Sequence, residues 1–189
     1  MLLWALLALP ALLWSWQAAG MAAPDLEELL APSGTMAARL IIAALALTPL
    51  VRLLPASRAL RWLLARRRHL GVAAFGYAVL HTLFYVLAMG RLDDMLAELG
   101  APGIWTGWLA LLLMVPLAAT SNDAAMRALR RAWKRVQQLA YPAALLTLAH
   151  WMLVHDDRLA ALAHFLPLVA LQLARLAQRL PGRAAPART

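Results

Sequence analysis

Six apolar blocks, each close to the ~20 residues that cross a bilayer core, set the limits on what this chain can fold into. They lie near Leu2–Ala19, Met36–Leu54, Leu70–Met89, Ile104–Thr120, Val136–His155 and Leu159–Leu176. Inside lipid a backbone must satisfy its own hydrogen bonds, so segments of this kind predict helices. The fold class expected is all-α, an integral membrane bundle of about six transmembrane helices. Composition supports it: 63% of residues are hydrophobic and 14% charged, whereas soluble domains are roughly 45–50% apolar. The first block has no Lys or Arg ahead of its apolar run. A signal peptide normally carries such a basic stretch, so the block is read as a retained helix.

The charges between the blocks fix an orientation. One set of segments holds Arg52, Arg58, Arg61, Arg66, Arg67, Arg68, Arg127, Arg130, Arg131, Lys134, Arg135, Arg175, Arg179, Arg183 and Arg188, fifteen of the eighteen basic residues. The other set holds Arg39, Arg91 and Arg158, with Asp25, Glu27, Glu28, Asp93, Asp94, Glu98, Asp156 and Asp157. Basic loops stay in the cytoplasm. Both termini are therefore expected there, in a bacterial inner membrane, with the acidic loops outside. The net charge of +9 is read as this topology signal, with contacts to anionic lipid headgroups, and not as a nucleic-acid surface.

The absence of cysteine excludes disulfides, Fe–S clusters, thiolate ligands and covalently attached c-type haem. No G-x-G-x-x-G or P-loop string occurs, so electrons or phosphoryl groups from a nucleotide would need a separate carrier. Three regions are expected: 1–34, a first helix and outer loop; 35–180, the membrane core; and 181–189, a Pro-, Ala- and Arg-rich tail that reads as disordered and cytoplasmic.

Polar groups within a span are costly and therefore informative. His81 lies ten residues before Arg91, and His150 lies fifteen after Arg135. At ~1.5 Å per residue these positions stand roughly 18–22 Å from the basic edge, at similar heights in the outer half of the membrane. Two imidazoles on neighbouring helices can take both axial positions of one haem iron, and a porphyrin's apolar body suits a helix bundle. They can equally form a structural polar pair or part of a proton path. Spacing alone leaves all three readings open. Zinc is disfavoured because neither helix offers further nearby ligands. His155 and His164 lack the depth and helix direction of this pair, and His69 follows three arginines at the inner edge.

Four strings carry a resemblance. They are Ala44-Leu45-Ala46-Leu47-Thr48-Pro49-Leu50, the run from Arg67-Arg68-His69-Leu70-Gly71 through Phe75-Gly76-Tyr77 to His81, Pro116-Leu117-Ala118-Ala119-Thr120-Ser121, and Trp133-Lys134-Arg135-Val136-Gln137-Gln138-Leu139-Ala140-Tyr141 reaching to His150. In this order, over about residues 35–180, the chain resembles the ferric-reductase-like transmembrane family. Within that family it is similar to the haem-binding membrane subunit of the periplasmic methionine-sulfoxide reductase system, the MsrQ/YedZ type.

The resemblance implies six helices, b-type haem, and electron transfer toward a periplasmic molybdopterin reductase subunit that repairs oxidised proteins. The donor it implies is a quinone or a cytoplasmic flavin reductase, with FMN as a further cofactor. It places His81 and His150 at the haem-ligating positions. This sequence departs from the family at Gln137, where histidine is usual. Glutamine is a poor iron ligand, so one haem is expected and a second, inner haem near His69 and Gln137 is in doubt. Arg67, Arg68, Arg131, Lys134 and Arg135 are the candidate contacts for a flavin phosphate or an acidic donor. Positive-inside topology alone also accounts for them. Substrate chemistry is expected on the partner. The rival readings are a stand-alone ferric or quinone reductase and a non-redox membrane scaffold.

Overall fold

The structure is a computed structural model that describes residues 2–20, 26–155 and 157–178. All regular structure among these residues is helical. Asp25, Asp156, Arg179, Arg183, Arg188 and the tail 181–189 lie outside the described residues, so the expectations placed on them stand as expectations.

Five helices are long and apolar enough to cross a membrane: α1 (Leu2–Ala19), α2 (Leu30–Leu53, entered through a 3-10 turn at Leu26–Leu29), α4 (Arg67–Met89), α6 (Pro102–Ala119) and α10 (Arg158–Ala177). Short helices connect them: α3 (Arg58–Ala65), α5 (Leu92–Glu98), α7 (Asp123–Leu129) and α8 (Arg131–Gln137). The remaining expected span is realised in two pieces, α8 and α9 (Ala140–Val154). Pro142 explains the break. It has no N–H to give the Gln138 carbonyl, which instead accepts from Tyr141 at 3.1 Å, tightening the chain where α9 begins.

Helix ends follow local chemistry. Ser57, Asn122 and Asp157 accept backbone N–H bonds at the starts of α3, α7 and α10, and Pro102 occupies the first turn of α6, where its missing N–H costs nothing. Gly90 ends α4 in the left-handed region at φ 65°, which a residue without Cβ adopts freely.

The helix α2 packs mainly on α4, and α6 on α9; α4 meets α6, and α10 closes against α2 and α9. Lipid tails are as apolar as leucine, so close approach of small residues drives such packing. Adjacent alanine pairs supply it: Ala37 and Ala38 on α2, Ala73 and Ala74 on α4, and Ala143 and Ala144 on α9 are all buried. Leucines face outward on the same helices, among them Leu53, Leu83, Leu87, Leu145 and Leu153, as a lipid-solvated surface requires. The helix α1 lies against α4. The Tyr77 hydroxyl donates to the Leu7 carbonyl at 2.6 Å and accepts from the Ala11 N–H at 3.2 Å, the pair that an α-helix ordinarily joins directly.

One sequence expectation changes. Arg39, grouped with the outer loops, lies inside α2, and its Nε donates to His164 Nε2 on α10 at 3.1 Å. The helix starts earlier than Met36, at Leu30, and the Ser33 hydroxyl is satisfied within it by the carbonyls of Leu29 and Leu30. A polar stretch that reads as loop is thereby absorbed into the span. At the opposite end, Arg68 donates to Asp123 at 2.6 Å, joining the start of α4 to the start of α7. This hydrogen bond holds the Asp123 carboxyl below the usual carboxylate range. The contribution of that exposed pair is complete above the ordinary carboxylate pKa and disappears as pH falls through the depressed one.

Candidate functional site

The two deep histidines meet. His81 of α4 and His150 of α9 have ring centroids 6.0 Å apart, with planes at 80°. Both are half-buried and line one cavity of about 500 Å³ enclosed by α2, α4, α6 and α9. Its walls are mainly apolar, with Ile41, Trp108, Met114 and Trp151 among them, and the end nearer the acidic loops is lined by Tyr85, Glu98 and His155. The volume lies within the roughly 300–1,000 Å³ typical of small-molecule and cofactor sites.

Each ring is oriented by a backbone carbonyl from a facing helix. His81 Nδ1 lies 3.0 Å from the Leu30 oxygen on α2, and His150 Nδ1 lies 2.7 Å from the Gly103 oxygen on α6. A carbonyl only accepts, so Nδ1 carries the proton in both rings and Nε2 keeps its lone pair. This arrangement is usual for metal-bound histidine, whose second nitrogen is fixed by a carbonyl or carboxylate.

Two glycines give the rings room. A Cβ at Gly34 on α2 would stand 3.0 Å from His81 Nδ1, and one at Gly107 on α6 would stand 2.7 Å from His150 Nδ1. Sequence reasoning missed both residues. The signal was present as Ser33-Gly34 and Thr106-Gly107, hydroxyl–glycine pairs near the N-terminal ends of two spans.

The geometry can be tested against a haem iron. Nitrogen sits about 2 Å from a first-row metal, so imidazoles on opposite sides of one ion have ring centres roughly 6 Å apart. The observed separation meets that requirement. Two nitrogen donors leave a bare ion undersaturated, and no group of three or more His, Cys, Asp or Glu is placed to hold a metal among the described residues. A planar macrocycle that brings its own equatorial nitrogens fits two axial donors in an apolar slot. The residues therefore fit a bis-imidazole haem.

The inner candidates are not brought together. His69 bonds the Arg66 carbonyl through Nδ1 at 3.3 Å and packs its ring on Trp4 of α1 at 5.1 Å. Gln137 turns to α6, donating to Thr120 Oγ1 at 3.0 Å and to the Leu117 carbonyl at 3.3 Å. Neither lines the histidine cavity. Arg67, Arg131, Lys134 and Arg135 lie exposed at the basic end, while Arg68 is engaged with Asp123. Of the remaining histidines, His155 reaches the cavity's acidic end, and His164 is held between Arg39 and Trp151.

The fold and site define the chain as an all-helical, multi-span membrane bundle with two imidazoles facing one largely apolar cavity. The family described as the ferric reductase like transmembrane component matches residues 33–148, a stretch that contains Gly34, His81 and Gly107 and stops two residues before His150. Three relatives bear the name protein-methionine-sulfoxide reductase heme-binding subunit MsrQ. The chain is 36% identical to that of Xanthomonas axonopodis pv. citri over 148 residues, 76% of this chain and 66% of the relative. It is 40% identical to that of Xanthomonas campestris pv. campestris strain 8004 over 129 residues, 66% of this chain and 57% of the relative. It is 34% identical to that of Caulobacter vibrioides over 173 residues, 87% of this chain and 79% of the relative. The matched part thus spans between 57% and 66% of the Xanthomonas relatives' length. No solved structure matches the chain. The chain belongs to the ferric reductase like transmembrane component family.

Proposed function

We propose that this protein is the haem-binding membrane subunit of a protein-methionine-sulfoxide reductase system, with one haem b that His81 and His150 would hold through their Nε2 atoms. One observation carries the reading: two imidazoles 6.0 Å apart across one apolar cavity, each with Nδ1 tied to a carbonyl and Nε2 left free. When bound, the haem supplies one-electron chemistry. The chain's residues hold the rings, exclude water with an apolar lining, and set the site nearer the acidic end of the bundle. The names of the relatives support the same role.

Electrons reach this chain from a quinone or a cytoplasmic flavin reductase, and leave at the outer face for a periplasmic molybdopterin reductase, where the substrate chemistry occurs. If FMN takes part, Arg67, Arg131, Lys134 and Arg135 at the basic end are its phosphate contacts, with Arg68 beside them. The protein sits in the bacterial inner membrane with both termini cytoplasmic. A cysteine scan with an impermeant reagent on intact cells is expected to label the segment 93–100 and to spare 127–135. Labelling of 127–135 instead would reverse the orientation.

The partner docks on the acidic end, around Glu27, Asp93 and Asp94, with Asp156 beyond the described residues contributing. Arg91 approaches Asp93 and Asp94 at 3.6 and 3.8 Å, all strongly exposed, so these pairs offset little of the local negative charge. Transient redox encounters use small charged surfaces whose association rate depends on salt. Reduction of the purified partner is expected to slow severalfold as ionic strength rises, and to slow likewise in Asp93→Asn/Asp94→Asn. Rates indifferent to both changes would leave these acids as topology signals only.

A further inference from the structure

The two histidine sites are built alike. On α2, the Ser33 hydroxyl bonds the carbonyls of Leu29 (2.6 Å) and Leu30 (3.0 Å), and Gly34 faces His81. On α6, the Thr106 hydroxyl bonds the carbonyls of Pro102 (2.8 Å) and Gly103 (2.7 Å), and Gly107 faces His150. In each case one carbonyl receives the hydroxyl three residues ahead and the imidazole of the facing helix. In each case the residue four ahead of that carbonyl is the glycine against which the ring lies. Ser33 and Thr106 are the buried polar side chains among the described residues. The halves α2–α4 and α6–α9 therefore present one structural motif twice, although the two stretches share only a hydroxyl–glycine pair in sequence.

We propose that Ser33-Gly34 and Thr106-Gly107 are a matched pair of histidine seats: the glycine admits the imidazole, and the hydroxyl adjusts how strongly the shared carbonyl holds the ring's N–H. The inference rests on the haem reading above and assigns positioning residues to it. A carbonyl oxygen has two lone pairs. In an α-helix one is committed to the N–H four residues on. The hydroxyl and the imidazole N–H compete for what remains. Hydroxyl donation makes the oxygen a poorer acceptor for Nδ1–H. Removing the hydroxyl strengthens the Nδ1–H···O bond, makes the imidazole more electron-rich, and favours the oxidised iron. The midpoint potential must then move in the negative direction.

The two seats differ in a way that orders the effects. The Thr106 hydroxyl lies closest to the carbonyl that His150 uses, at 2.7 Å, whereas the Ser33 hydroxyl lies closer to Leu29 than to the carbonyl that His81 uses, and its Oγ also stands 3.4 Å from His81 Nδ1, where it shares the ring's N–H, so that its removal takes away a competitor and a weak acceptor together. Thr106 therefore has the larger influence on its histidine.

The test is an equilibrium redox titration of the purified, haem-loaded full chain, following the haem absorbance. Thr106→Val is expected to keep its haem with a more negative potential. Ser33→Ala should shift the same way by less, and Thr106→Ser, which restores the hydroxyl, should return to the wild-type value. A purely structural role would change occupancy and stability without this ordered shift and its rescue. Unchanged or raised potentials in both hydroxyl-less variants at full occupancy overturn the proposal. If Thr106→Val fails to fold, Thr106→Ala and Ser33→Ala are judged by the same criterion. Failure of the haem reading itself looks different: the wild-type chain, fully folded, would bind no haem, and the seats would be packing devices alone.

Discussion

Replacing either His81 or His150 with alanine is expected to remove most of the haem from the purified protein. Each imidazole supplies one of two axial bonds in an apolar slot where water is a poor replacement. Each also gives up a hydrogen bond to a facing helix, to Leu30 from His81 and to Gly103 from His150, at a cost of about 1 kcal/mol. That is small beside a lost iron ligand, so the folded fraction should fall far less than the Soret absorbance. Size-exclusion chromatography in detergent separates the two effects. His164→Ala serves as the control, because that ring does not line the cavity and is engaged with Arg39 and with Trp151 of the cavity wall. Haem content that falls equally in His164→Ala and in the two cavity variants would show that the loss reflects general destabilisation.

Gly107→Ala is expected to be nearly as damaging, although it removes no ligand. The added methyl would stand 2.7 Å from His150 Nδ1 and 2.8 Å from its Cε1, closer than carbon and nitrogen tolerate. The ring must swing or α6 must shift away from α9, the helix it packs against most closely. Overpacking of a fitted core costs about 1–3 kcal/mol, and here the displaced group is the ligand itself. Gly34→Ala should be milder, since its methyl would meet His81 at 3.0 and 3.1 Å, a contact that a few tenths of an ångström relieve. Haem per chain, ordered wild type above Gly34→Ala above Gly107→Ala, is the expected result. Full occupancy in Gly107→Ala would mean that His150 does not need its present seat.

Much of this architecture is legible in the residues. Apolar length alone places α1, α4, α6 and α10 to within three residues at each end, because a bilayer imposes one helix length on every span. The depth of His81 and His150, counted from the basic edges, puts them at one height, and the structure sets them ring to ring. What escaped is local and cooperative. Pro142 divides the expected fifth span into α8 and α9, since a missing N–H redirects a carbonyl whose partner only the folded chain reveals. Ser33, Gly34 and Thr35 read as loop until the Ser33 hydroxyl is seen bonded to its own helix. The seats at Gly34 and Gly107 depend on which helices face one another, and periodicity within one helix does not encode that. The partners of Gln137, Leu117 on α6 and Thr120 at its C-terminal cap, belong to the tertiary fold.

The most direct measurement of the central claim is haem per chain by pyridine haemochrome, with an absorbance spectrum of the purified full chain beside that of the His81→Ala/His150→Ala double variant. The two-imidazole site predicts a b-type haem at about one per chain in the wild type, low-spin as two nitrogen ligands require, and essentially none in a folded double variant. A wild-type chain without haem, or a double variant with full occupancy, would contradict it.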